Sequence, residues 1–143
     1  MVGGLLHDLG KVIIGVQIPA AAKEAAWVAA REEISYYEAE VRVMGFAHDR
    51  VNSWVADQWN LPLRLREGMV YHHKPMSARH YQDMAQVVHL GNFMTRLFEK
   101  GFGGDDQVPV LSPQAFKALG LDQQLFEALL DSVSVKFEAI GPV

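Results

Sequence analysis

The sequence predicts an all-α protein, a bundle of seven or eight helices, and three observations carry that expectation. Apolar residues recur at three- and four-residue spacing in almost every segment, the period of a helix face rather than the alternation of a strand. Proline and glycine fall where helices would start and stop. Alanine, the strongest helix former, is concentrated in one stretch between Ala20 and Arg31.

Taken in order, Leu5 to Val16 is apolar around His7, Asp8 and Lys11, as in a helix buried on most sides. Pro19 opens the alanine-rich second helix, where its missing N–H costs nothing and its fixed φ suits a first turn. A third helix runs from Tyr36 to Met44 and stops at Gly45. A fourth follows, with Val51, Trp54, Val55 and Trp59 on one face at helical spacing. Asn60-Leu61-Pro62 breaks it, because Pro62 pushes Leu61 out of the α region. The fifth helix extends to about His73 and ends before Pro75. From Arg79 to Lys100 a stripe of Met84, Val87, Val88, Gly91, Met94 and Phe98 marks the sixth. Gly101 to Asp106 reads as a flexible linker. Ser112-Pro113 then reads as an N-cap with a first helical residue, and Gly120 as a stop. The last helix, from about Gln123 to Ile140, carries Leu125, Phe126, Leu129, Leu130, Val133 and Phe137 on one side. The aromatic residues Trp54, Trp59 and Phe98 are expected in the core.

Composition bounds the function. The chain has 143 residues, half of them apolar and 21% charged, the make-up of one globular domain. A net charge of −4, with no run of like charges, argues against a nucleic-acid surface. The absence of cysteine excludes disulfides, thiolate zinc sites and cysteine nucleophiles, and fits a cytoplasmic setting. No stretch approaches the roughly 18 apolar residues of a spanning helix, so no membrane partner is expected.

The chemistry is concentrated in two places. In Gly4-Leu5-Leu6-His7-Asp8-Leu9-Gly10-Lys11, adjacent His and Asp lie among apolar residues, where a buried carboxylate is costly unless paired or bound to a metal. One imidazole and one carboxylate make a compact N/O site suited to a divalent ion such as Fe, Mn, Zn, Ni or Mg. Lys11 shares their helix face, placed either to pair with Asp8 or to hold a phosphate oxygen. A hydrogen-bonded histidine at a charged turn has the same appearance. The second place is His48 with His72 and His73. If the helices on either side of Asn60–Pro62 pack antiparallel, the start of one meets the end of the other and His48 approaches the His-His pair. Histidines at exposed helix ends are the alternative.

Together these stretches resemble the HD superfamily and, within it, the HDOD signalling type. Gly4 to Lys11 is similar to the His-Asp doublet segment. Glu40 to Pro75, with Gly45, His48, Trp59-Asn60-Leu61-Pro62 and Tyr71-His72-His73, is similar to the HDOD pattern in order and spacing. The likeness covers roughly residues 3 to 97 and corresponds to the C-terminal half of such a domain, so the chain is expected to be a fragment of a longer helical region. It implies a helical domain whose doublet coordinates metal. Catalytic relatives hydrolyse phosphate esters, including nucleotides and cyclic dinucleotides; HDOD members accompany receiver, kinase or diguanylate-cyclase domains, many without demonstrated activity. By this likeness the metal residues are His7, Asp8, His48, His72, His73 and Asn92, and the catalytic ones are Asp8 and Lys11.

Three departures accompany it. No histidine precedes His7, where the family's ligand set begins. In Val88-His89-Leu90-Gly91-Asn92, asparagine stands where an aspartate is expected, leaving two of four family ligands. Asn52 occupies a position where the pattern often has glycine. The domain organisation expected is residues 1–100 as the helical domain, 101–111 as a linker and 112–143 as a helical extension packed on it. Two functions follow: a signalling module with a degenerate metal site, its divalent ion weakly bound or absent, that binds other signalling domains and self-associates, or a metal-dependent phosphohydrolase.

Overall fold

In the computed structural model, residues 2–98 and 107–140 are described, and all their regular structure is helical. The helices are α1 (Val2–Leu6), α2 (Leu9–Gln17), α3 (Pro19–Glu32), α4 (Tyr36–Met44), α5 (His48–Gln58), α6 (Leu63–Val70), α7 (Gln82–Leu97), α8 (Pro113–Ala118) and α9 (Gln123–Ile140), with a 3₁₀ turn at Pro75–Ser77. The expected first helix is thus two, interrupted at His7-Asp8. The expected linker Gly101–Asp106 lies outside the described residues.

Local chemistry sets most boundaries. Pro19 occupies the first turn of α3. Ser35 and Glu38 close a capping box on α4, and Gly45 ends that helix at φ +77°, in the left-handed region that glycine tolerates. Asn60 also takes a positive φ, and Pro62 precedes α6. The Ser112 side chain accepts from the Ala115 N–H, with Pro113 first in α8. Two boundaries differ near the site: α6 stops at Val70, so His72 and His73 sit in the turn beyond it, and α7 begins at Gln82 rather than Arg79.

Tertiary packing pairs α3 with α4, α2 with α5, and α6 with α7. Ala25, Ala29 and Ala39 are buried with Tyr36 where α3 meets α4, and such small side chains let two helices approach closely. Against expectation, the first helical segment is not buried on most sides: Leu5 is 83% and Val16 70% exposed. Trp54 and Trp59 are also largely exposed rather than core. The buried face of α5 is His48, Val51, Asn52 and Ala56, and the two tryptophans fall off that stripe. On α7, Val88 and Met94 are buried, while Val87 and Gly91 face outward. α9 meets α7 through Phe93 against Phe126 and Phe98 against Phe137. Among the described residues no single helix is long and apolar enough to cross a membrane.

Candidate metal centre

Three pieces of backbone bring the chemistry together. The break between α1 and α2 presents His7 and Asp8; the first residue of α5 presents His48; the turn after α6 presents His72 and His73. Gly10 makes the first approach possible. A Cβ there would lie 2.2 Å from the His48 carbonyl oxygen, so only glycine lets α2 lie against the start of α5. Asn52, fully buried, ties the same pieces with three hydrogen bonds. Its Oδ1 accepts from the Gly10 N–H at 2.8 Å, and its Nδ2 donates to the carbonyls of His7 and Met69.

Asp8, His48, His72 and His73 each offer one ligand-type atom, and these atoms all lie within 4.8 Å of one another. His48 Nε2 is 3.3 Å from Asp8 Oδ1, 3.4 Å from His72 Nε2 and 3.0 Å from His73 Nε2. The protons can be placed. His72 Nδ1 is 2.8 Å from the Met69 carbonyl, which only accepts, so the proton is on Nδ1 and Nε2 carries a lone pair. His48 Nδ1 is 2.5 Å from the Glu40 carboxylate, to which it donates, and this turns His48 Nε2 towards His72 Nε2.

Electrostatics agree with that placement. Burial, reinforced by the neighbouring His48 and His7, drives the His72 pKa well below the usual histidine range. Burial, with His72 and His48, does the same to His73. Burial by itself raises the Asp8 pKa, but Lys11, His7 and His48 together outweigh it and bring that pKa down to about 2. Lys11 Nζ donates to Asp8 Oδ2 at 2.8 Å. At neutral pH the centre therefore holds an anionic Asp8 carboxylate beside neutral His72 and His73 rings. Asp8 Oδ1 and His7 Nε2 are buried without a hydrogen-bond partner.

Two ring nitrogens and a carboxylate oxygen without a hydrogen-bond partner converge at 3.3–3.7 Å, leaving a place for a cation between them. The spacing matches the edge of a tetrahedron of N and O ligands around a divalent ion, about 3.3 Å for bonds near 2.0–2.1 Å. The residues present fit a divalent metal.

The remaining expected residues lie around this group. His7 packs edge-on against His72, ring centroids 4.9 Å apart, and its Nδ1 donates to the Gly4 carbonyl, outside the converging four. Lys11 and Asn92 line an adjoining cleft of about 540 Å³ together with Tyr37, His73, Lys74 and Arg96. Three contributors had not been singled out as site residues. Glu40 is fully buried behind His48. Asn52, noted only as a departure from a pattern, fastens the site. His89 donates from Nδ1 to the His72 carbonyl at 2.7 Å and accepts from the Ser112 N–H at 3.0 Å, joining the His-His turn to the start of α8. Glutamate eight residues before a histidine, across a glycine turn, is the one sequence signal that pointed towards Glu40.

The fold and site define an all-α domain with a half-buried three-histidine, one-aspartate cluster between helix ends that could hold a metal ion. The HDOD domain family model matches residues 1–75, and the chain belongs to that family. It is also similar to an uncharacterized protein of Treponema pallidum (strain Nichols), 26% identical over 137 residues, which cover 95% of this chain and 26% of that protein. The chain thus spans about a quarter of that relative's length. No solved structure matches.

Proposed function

We propose that this chain is a signalling or regulatory module of the HDOD type, built around a divalent metal held by Asp8, His48, His72 and His73, and without hydrolytic activity of its own. The observation that carries the reading is the convergence of the His48 and His72 Nε2 atoms, 3.4 Å apart, on an Asp8 Oδ1 that has no hydrogen-bond partner. Four protein donors fill a tetrahedral ion, which is the character of structural sites, whereas catalytic sites keep a position open. His48 and His72 are also fully buried. When bound, the metal supplies positive charge to three imidazole rings and one carboxylate and so locks three chain segments to one another. The nitrogen-rich set favours Zn, Mn, Fe or Ni over Mg.

A second reading, a metal-dependent phosphohydrolase, is favoured by the cleft of about 540 Å³ beside His73, which Lys11, Lys74 and Arg96 line together with Glu33 and Glu38. Metal analysis of the purified protein, together with assays on bis(p-nitrophenyl) phosphate and a cyclic dinucleotide, separates the two. The module predicts close to one equivalent of metal and no turnover, with activity gained only in Asn92→Asp, if at all. Turnover by the unaltered chain rejects it, and absence of metal rejects the centre itself. We further propose self-association through the exposed face of α1 and α2, where Leu5, Val12 and Val16 are uncovered. A monodisperse monomer in light scattering at high concentration speaks against that.

A further inference from the structure

We propose that Glu40 is the positioning residue of the metal centre: it fixes the proton of His48 on Nδ1, turns Nε2 towards the ion, and supplies through the ring a second negative charge. The inference rests on the metal reading above. Glu40 lies on α4, which provides none of the four ligand-type atoms, and it is fully buried. Its Oε2 accepts from both the backbone N–H and Nδ1 of His48, at 3.1 and 2.5 Å. Its Oε1 has no hydrogen-bond partner.

A carboxylate so enclosed is poorly compensated by a neutral ring. It is well compensated when the same ring carries a cation on its far nitrogen, because the polarised N–H then passes charge in both directions. Carboxylate–histidine–metal arrangements have this form, and loss of the outer carboxylate typically weakens metal binding by about 10–100-fold. Tyr37 closes the outer side, its ring edge-on to His48 at 5.9 Å and tilted on His73 at 4.5 Å, with its hydroxyl donating to Asp49. The charged and titratable groups facing His48 are therefore Glu40 from α4, Asp8 from the start of α2, and His72 and His73 from the turn after α6. Glu40 is the member of that group with no other ligand-type role to play.

The competing role is local. Because Oε2 also accepts the first N–H of α5, Glu40 is a helix cap as well, and Glu40→Gln separates the two functions. The amide keeps the volume and an accepting oxygen but loses the charge, so the metal-free variant keeps its fold in circular dichroism. Calorimetric titration with Zn²⁺ alone is expected to give a Kd about 10–100-fold weaker than that of the unaltered chain. Co²⁺ alone is expected to give a shifted ligand-field spectrum. Equal affinity and an unchanged Co²⁺ spectrum in Glu40→Gln would reduce Glu40 to a cap and overturn the proposal. Should the variant not fold, the proton position in the unaltered, metal-free chain decides by nitrogen-15 NMR. A proton on Nδ1 of His48 supports the proposal, and a ring protonated on Nε2 with Nδ1 bare overturns it. If the unaltered chain binds neither ion, the metal reading itself falls, an outcome distinct from an unaltered chain that binds and a variant that binds equally well.

Discussion

Replacing Gly10 by alanine tests how the centre is assembled. The added Cβ would stand 2.2 Å from the His48 carbonyl oxygen and 3.0 Å from its Cβ, against backbone that cannot swing aside as a side-chain tip does. Real Cβ contacts do not fall below 3.0 Å, so α2 and the start of α5 must separate by about 0.8 Å. That displacement strains the 2.8 Å bond from the Gly10 N–H to Asn52 and widens the 3.3 Å gap between Asp8 and His48. Overpacking of this kind costs about 1–3 kcal/mol, and the weakened buried hydrogen bond adds to it. Alanine's better helix propensity returns about 1 kcal/mol, so a net loss of about 1–3 kcal/mol is expected. Ligand atoms must be held within about 0.5 Å for a working site, so metal affinity falls at least about tenfold. Gly15 is the internal control. It lies on the same helix with nothing within 4 Å of its added Cβ, and Gly15→Ala is expected to be neutral or stabilising by up to about 1 kcal/mol. Urea denaturation and Zn²⁺ titration of both variants measure the difference. Gly10→Ala matching Gly15→Ala in stability, with unchanged metal affinity, would refute the close-approach argument.

Three further outcomes are expected. Asn52→Ala removes three buried hydrogen bonds and strands Gly10 N–H and the His7 and Met69 carbonyls, for a loss of about 3–5 kcal/mol in chemical denaturation; a loss under about 1 kcal/mol contradicts the role given to Asn52. The Asp8 carboxyl, lowered from 3.8 to about 2, stabilises the metal-free fold above its unfolded pKa, and that contribution, up to about 2 kcal/mol, disappears as pH falls from about 4 to 2. Lys11→Met leaves the burial and removes the largest opposing charge, so NMR titration should find the Asp8 pKa raised; no rise would mean that the Lys11 pair does not hold it down. Glu67 accepts the N–H groups of Arg79, His80 and Tyr81; burial raises its pKa, but these bonds prevail and lower it, so its support is present above the ordinary carboxylate pKa and is lost as pH falls through its lowered value. In Glu67→Gln, hydrogen exchange at His80 and Tyr81 should quicken near neutral pH, and unchanged protection there would remove Glu67 as the anchor of that turn.

What the sequence determined by itself was local. Proline at a first turn, glycine in the left-handed region and serine before proline act within four or five residues, so the ends of α3, α4 and α8 follow from Pro19, Gly45 and Ser112-Pro113 whatever surrounds them. The residues of the candidate site were legible for a related reason. His7-Asp8 lies among apolar residues, where burial is costly without a partner, and His48 with His72-His73 stood out by their likeness to the HDOD pattern in order and spacing.

Tertiary structure decided the rest. Periodicity marks a helix face but not its neighbour, so Trp54 and Trp59 read as core although α5 turns His48, Val51, Asn52 and Ala56 inward. Nothing local shows that Asn52 bonds to residues 42 and 45 positions earlier, or that Glu40 lies behind His48. The break at His7-Asp8 also depends on that distant contact, because the side chain of Asn52 takes up both the His7 carbonyl and the Gly10 N–H. Which ring nitrogens face the cluster is settled by the hydrogen bonds that His48 and His72 donate from their far sides to Glu40 and Met69, and only the packing of α2, α4, α5 and α6 puts those acceptors there.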